Sequence, residues 1–396
     1  MSISWLLYRF PRCGRVSLKP AAESLFRTKR RNTIVEWVCA ALLAFVLLTS
    51  LGACSGGSSA SPSTPGSSAD QRVLGITANA RPMPPPTQQD ALDAANLVAS
   101  VGARGAVLAF AWNELETAPG TFSLSTFQNS VAFSSSRGLV IYVGIQVINT
   151  VAKETPSDLL VVAWDDPQME SRFHALVDAM RPTLTSHVRY LSIGNEVDVY
   201  LDANPAEWAA YQKFYENAVA YVHQTLPGIQ VGVTTTFTGV SGPARANAIQ
   251  LNNMSDVWIF TYYPLGPGFV PYGPGAPLVD FPTMLALAGN RPVILQEVGY
   301  PTSSVLSSSE ADQSAYVTNV FQAWRSGSQQ IPFLNYFALH DFTPSFCSTL
   351  AQFYGDPNDP AFAAYLCSLG LRYDDGTPKA AWQNLVNTAG AQGFPH

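Results

Sequence analysis

Leu191-Ser192-Ile193-Gly194-Asn195-Glu196-Val197-Asp198 and Val293-Ile294-Leu295-Gln296-Glu297-Val298-Gly299-Tyr300-Pro301 are two short apolar runs that each end in a carboxylate. Their β-prone, non-alternating character reads as strand buried on both faces, with turn or loop chemistry beyond. A lone carboxylate buried there costs several kcal/mol or is driven to take up a proton. One strand-end Glu is readily explained by a salt bridge. Two of them, each beside a polar residue at the end of a buried strand, point to a site. They stand 101 positions apart, room for two or three further strand-helix units between them.

Outward from this pair, strand and helix alternate along the chain. Strands are expected over residues 72–77, 105–112, 139–148, 188–194, 229–235, 257–263, 292–296 and 332–340. Helices are expected over 87–101, 125–136, 166–184, 308–324 and 379–386, with a further one capped by Asn204, carrying Pro205 in its first turn and running to Val222. No Pro/Gly/Ser-rich break divides residues 71–396, so they form one α/β domain. Eight such repeats are what a closed (β/α)8 TIM barrel requires, with a doubly wound open sheet as the alternative. In a barrel the strand ends converge on one mouth, and Glu196 after the fourth strand can face Glu297 at the end of the seventh. Two carboxylic acids flanking a sugar divide the labour of breaking its glycosidic bond, one protonating the leaving oxygen and the other attacking the anomeric carbon.

Of the 396 residues, 47% are hydrophobic and 13% charged, a globular composition. Residues 1–31 carry eight basic side chains, and a nearly unbroken apolar run from Trp37 to Leu51 follows, too short for a confident membrane span. This is the layout of a secretory signal, cut near Cys54. Leu51-Gly52-Ala53-Cys54 resembles the lipobox of bacterial lipoproteins, which implies a lipid anchor on Cys54 and an extracytoplasmic location on a bacterial membrane, the outer one if present. A plain secreted protein is the alternative. Residues 1–53 are then the signal region and 54–70, nearly all Gly, Ser, Ala, Pro and Thr, a flexible tether.

Residues 1–53 hold eight of the 22 basic and two of the 28 acidic side chains, so the remainder has a formal charge near −12. That argues against nucleic acid as a partner. The five histidines show no ligand spacing, there is no CxxC, and neither a P-loop nor a GxGxxG after a strand occurs, so no metal or other cofactor is implied. Beyond Cys54 only Cys347 and Cys367 remain, 20 positions apart. Outside the cytoplasm they are expected to pair, two buried thiols being the alternative. The segment 341–369 is too long for an ordinary barrel connection and is expected to wall the cleft.

The chain resembles the clan A glycoside hydrolases, retaining enzymes on a (β/α)8 barrel. The matching residues are Gly194-Asn195-Glu196, Thr261-Tyr262-Tyr263-Pro264 and Gln296-Glu297-Val298-Gly299-Tyr300-Pro301. Further likeness lies in Trp112-Asn113-Glu114-Leu115-Glu116 with Pro119-Gly120-Thr121-Phe122, and in residues 371–379. The resemblance covers residues 72–386. It implies Glu196 as general acid/base, Glu297 as nucleophile, and Asn195 as a partner of the sugar 2-hydroxyl or of the nucleophile. Tyr263, with Tyr262 as second choice, is implied as donor to Glu297. Trp112 is either a stacking face for a sugar or a core residue, and His340 either a substrate ligand or a hydrogen-bonded strand-end histidine. Two departures stand out: the eighth strand reads Asn335-Tyr336-Phe337-Ala338-Leu339-His340-Asp341 where many members carry a Trp, and the Arg or His that several member families present from the second and third strands has no match. A monomer acting on a carbohydrate is expected. A non-catalytic glycan-binding lipoprotein on the same barrel is the competing reading; a Schiff-base aldolase lacks its strand-end Lys.

Overall fold

The computed structural model describes residues 72–394. Nine parallel strands form the sheet: β1 Val73–Ile76, β2 Gly105–Ala111, β3 Val140–Asn149, β4 Val188–Asn195, β5 Gln230–Gly232, β6 Thr234–Thr236, β7 Trp258–Tyr262, β8 Val293–Val298 and β9 Phe333–Tyr336. Each pairs with its neighbours in the order β5-β4-β3-β2-β1-β9-β8-β7-β6. β5 and β6 are consecutive, parted only by Val233; the first lies on β4 and the second on β7, so together they fill the place of the fifth expected strand and close the ring. The fold is a single (β/α)8 barrel.

Alternation along the strands divides the core in two. Tyr142, Tyr190, Val257, Ile259, Ile294 and Phe333 fill the barrel, while the intervening residues meet the helices outside. The surrounding helices are α1 Gln88–Ala99, α2 Ser125–Ser136, α3 Pro167–Met180, α4 Val197–Ala203, α5 Trp208–Thr225, α6 Arg245–Asn252, α7 Pro277–Ala288, α8 Glu310–Ser326, α9 Pro344–Phe353, α10 Pro360–Leu366 and α11 Ala380–Ala391. Their starts follow local chemistry. Thr87 and Asp90 make a reciprocal capping box for α1, Asp166 caps α3 ahead of Pro167, and Ser309 caps α8. None of the helices among the described residues is long and apolar enough to cross a membrane.

Three expectations are corrected. The helix anticipated from Asn204 begins at Trp208; Pro205–Glu207 form a single tighter turn, and the Asn204 side chain turns back to the Tyr200 carbonyl instead of capping. A short helix not anticipated, α4, starts directly after Glu196. The eighth barrel strand stops at Tyr336 rather than running to His340, because the chain there leaves the sheet for the insert that follows.

That insert, residues 341–369, contains α9 and α10 joined by the Cys347–Cys367 disulfide, whose Cα atoms are 5.9 Å apart. It has a small core of its own, including Phe362, Leu366 and Leu369, packed on Leu265, Phe269 and Leu306 from neighbouring mouth loops. At its base Lys379 lies 2.8 Å from Asp341, both nearly sealed from water, and the same ammonium reaches Thr302 Oγ1 and the Ser368 carbonyl. Cys54 and the tether lie outside the described residues.

Candidate active site

Gln296 joins the two strand ends. Its amide nitrogen donates to Asn195 Oδ1 at 3.0 Å and leans on Glu297 Oε1 at 3.4 Å, so residues about a hundred positions apart meet across the mouth. The Tyr142 and Thr234 hydroxyls, each 2.6 Å from Gln296 Oε1, fix which way that amide faces. Ser192 bonds Thr234 from β4, and Asn195 donates to Asn149 Oδ1 at 3.2 Å. A fully buried amide held on both ends is a rigid floor for the groups above it.

Above that floor, Glu297 on β8 accepts the Tyr263 hydroxyl at 2.6 Å. Tyr263 keeps this place because Gly299 has no side chain: a Cβ there would sit 2.7 Å from the tyrosine ring and 2.8 Å from the Phe337 carbonyl. Burial and the neighbouring Glu297 push the Tyr263 phenol far up, so it remains a donor. Glu196 sits at the very end of β4 in the left-handed region, φ 47°. Gly194 just before it also needs positive φ, and a Cβ there would strike Val197 and the Tyr211 hydroxyl. Thr261 from β7 donates to Glu196 Oε1 at 2.6 Å and Thr150 from the end of β3 donates to Oε2 at 2.7 Å. Thr150 is itself a β-branched residue at φ 50°, a conformation held only where the surroundings over-determine it.

Burial raises both carboxyls. For Glu196 the two threonine hydroxyls oppose that rise, and for Glu297 the facing Glu196 adds to it, to about 7, against the donors Tyr263 and Gln296. Two such groups in one cavity release their protons in two steps that belong to the pair. Both glutamates line a cavity of about 1050 Å³ that also reaches Asn79, Gln146 and Asn149.

The remaining candidates fall elsewhere. Trp112 is fully buried against Phe173 and donates to Glu116, leaving no face for a ring. Tyr262 is also buried and points away, to Asp280 at 2.6 Å. His340 is buried and exchanges three hydrogen bonds with Asn79, so it holds a cavity residue without lining the cavity itself. Tyr300 is buried, bonded to the Tyr272 carbonyl. Among the described residues, no group of three or more His, Cys, Asp or Glu side chains is arranged to hold a metal ion. Thr150, Thr261, Tyr142 and Thr234 had no assigned role in the sequence. The available signal was position: Thr150 follows β3 as Glu196 follows β4, and Thr261 opens the Tyr-Tyr-Pro stretch.

No protein-family model matches the chain, and no curated protein does either. Solved structures do match, at low identity. An exo-β-1,4-mannosidase, Op5Man5 from Opitutaceae bacterium strain TAV5, superposes with TM-score 0.61 at 17% identity over 81% of this chain, which spans only 59% of that one. A GH5_18 protein from Streptomyces cattleya in complex with GlcNAc gives 0.63 at 14% identity, covering 83% of this chain and 81% of that one. A family 39 glycoside hydrolase from Bacteroides cellulosilyticus WH2 gives 0.57 at 16%, covering 81% and 64%. At such identities the likeness is one of fold.

Proposed function

We propose that the protein is a retaining glycoside hydrolase in which Glu297 is the nucleophile and Glu196 the general acid/base. The observation that carries this reading is the pairing itself: two half-buried glutamates on one cavity, linked through Asn195 and Gln296 and each held by hydroxyl donors. In the first step the Glu297 carboxylate attacks the anomeric carbon while the bond to the leaving oxygen breaks and Glu196 hands that oxygen its proton. The sugar is left as an ester on Glu297. In the second step Glu196, now ionised, takes a proton from water as the water attacks the same carbon, the ester bond to Glu297 breaks to restore its carboxylate, and Glu196 is left protonated as at the start. Tyr263 keeps the nucleophile oriented, and the Asn195 amide is assigned to a sugar hydroxyl or to orienting the nucleophile. Retention requires carboxyls about 5 to 5.5 Å apart, with no water between them. A pure glycan binder has no need of two raised carboxyls at these strand ends, since neutral hydrogen bonds and stacking suffice.

Mechanism-based labelling tests this. Incubation with a panel of 2-deoxy-2-fluoroglycosyl fluorides is expected to attach one sugar to the peptide containing Glu297, because the fluorine slows release of the ester. Labelling at another residue, or none with any sugar of the panel alongside no hydrolysis of any aryl glycoside, refutes the assignment. We further propose that Cys54 carries a lipid anchor that holds the barrel outside the cytoplasm, a proposal that rests on the sequence alone.

A further inference from the structure

The two sides of the cavity differ in chemistry. At the ends of β3 and β4 and just beyond β1 its lining carries the amides of Asn79, Gln146, Asn149 and Asn195, while a further stretch along β2, α1 and α2 is largely apolar. Toward the insert it is hydrocarbon. The Phe337, Phe342 and Phe346 rings run in a strip, with centroids 5.9 and then 5.1 Å apart, and all three are only partly covered by protein. Leu350 extends the strip one turn along α9, since it follows Phe346 by four residues on the same helix face. Leu265 and Phe269, from the loop after β7, line the same cavity. Apart from the glutamate pair, the charged lining residues are Arg104, Glu114 and Arg137, none of them on the insert or the loop after β7.

Sugar-binding faces set an aromatic ring under the sugar and polar groups around its edge. Here the strip has rings and leucines, and the Tyr354 and Tyr365 hydroxyls are its polar groups. A second sugar lying on it would leave its hydroxyls dehydrated and unpaired, whereas an alkyl or aryl group would lose only unfavourable contact with water.

Resting on the glycosidase reading above, we infer that the protein cleaves glycosides whose leaving group is an apolar alcohol. The sugar lies on the amide-lined side and the aglycone on Phe337, Phe342, Phe346 and Leu350. The bond broken is the one from the anomeric carbon to the alcohol oxygen, which departs carrying the proton of Glu196; water completes the turnover and no further reagent is needed.

The test uses the sugar identified by fluoride labelling, a reaction whose leaving group has no aglycone, so the two readings fail separately. Values of kcat/KM are compared for the methyl glycoside, the octyl glycoside and a disaccharide of that sugar. The octyl compound is expected to exceed the methyl by about 100-fold, a partial burial of its chain at roughly fourfold per methylene, and to exceed the disaccharide. In Phe346→Asn and in Leu350→Asn the octyl-to-methyl ratio should fall about tenfold. The wild-type ratio stands even if a variant does not fold. A ratio near one, or a preference for the disaccharide, with Glu297 labelled as expected, overturns the inference and leaves the glycosidase reading intact. Failure to label and to hydrolyse any of the three overturns both.

Discussion

At the scale of single residues, the pair of glutamates sits in an environment that resists charge, and hydroxyl donors set how far. Replacing Glu196 by Gln keeps shape and removes the proton that the leaving group needs. It should lower kcat/KM by about 10²–10⁴-fold for an alkyl glycoside and far less for an activated aryl glycoside, whose oxygen departs unaided. Equal losses on the two substrates would contradict the assignment. Thr150→Val removes a donor that favours the ionised form of Glu196, so the carboxyl holds its proton to higher pH. A hydrogen bond to a charged group is worth about 1.5–3 kcal/mol, and one pKa unit corresponds to about 1.4 kcal/mol. The alkaline limb of the kcat/KM profile, which marks loss of the acid's proton, should therefore move to higher pH. A profile that scales down without shifting would mean that Thr150 supports the fold and does not tune the acid. Glu196, Glu297, Asn195 and Tyr263 were legible as candidates because each stands at a strand end or in a short recognisable run. The hydroxyl partners of Glu196 and Gln296 were not, since Thr150 and Tyr142 come from β3 and Thr234 from β6, and only closure of the barrel brings them near.

At the scale of elements, the insert supplies one wall of the cavity and the disulfide ties its two helices together. Opening a loop of this length costs about 3 kcal/mol in chain entropy by the loop-closure model. The Cys347→Ser, Cys367→Ser double variant should melt at lower temperature and show a raised KM with kcat changed less, because the bridge touches neither glutamate. A drop in kcat alone would place the bridge in the chemistry instead. The length and composition of residues 341–369 disclosed a cleft wall, and two cysteines 20 positions apart, read with an expected secretory signal, disclosed the bridge. What could not be read was where the eighth strand ends. Apolar residues run on past Tyr336 into Phe337, Ala338 and Leu339, and a run that feeds a mouth insert has the same composition as one that continues a strand. The helix after Glu196 was hidden for a similar reason: seven residues are too few to show a period.

At the scale of the whole molecule, the barrel was readable because eight apolar runs recur with helix-length spacers, a pattern few folds satisfy. The proposed lipid anchor on Cys54 is tested independently. Cys54→Ser should move the protein from the detergent phase to the aqueous phase, since acyl chains would supply most of its membrane affinity; a variant that stays with detergent would implicate the apolar run before it as an uncleaved helix. The seam at Val233 has a consequence of another kind. β4 is paired to β5 only as far as Ser192, and β6 continues the ring on β7, so beyond Ser192 the strand carrying Glu196 is laddered on its β3 side alone. β8, which carries Glu297, is flanked on both sides, by β7 and β9. Backbone breathing should therefore be lopsided across the mouth. In deuterium uptake, amides of residues 193–196 should exchange ahead of those of 294–297, giving a pliant Glu196 opposite a fixed Glu297.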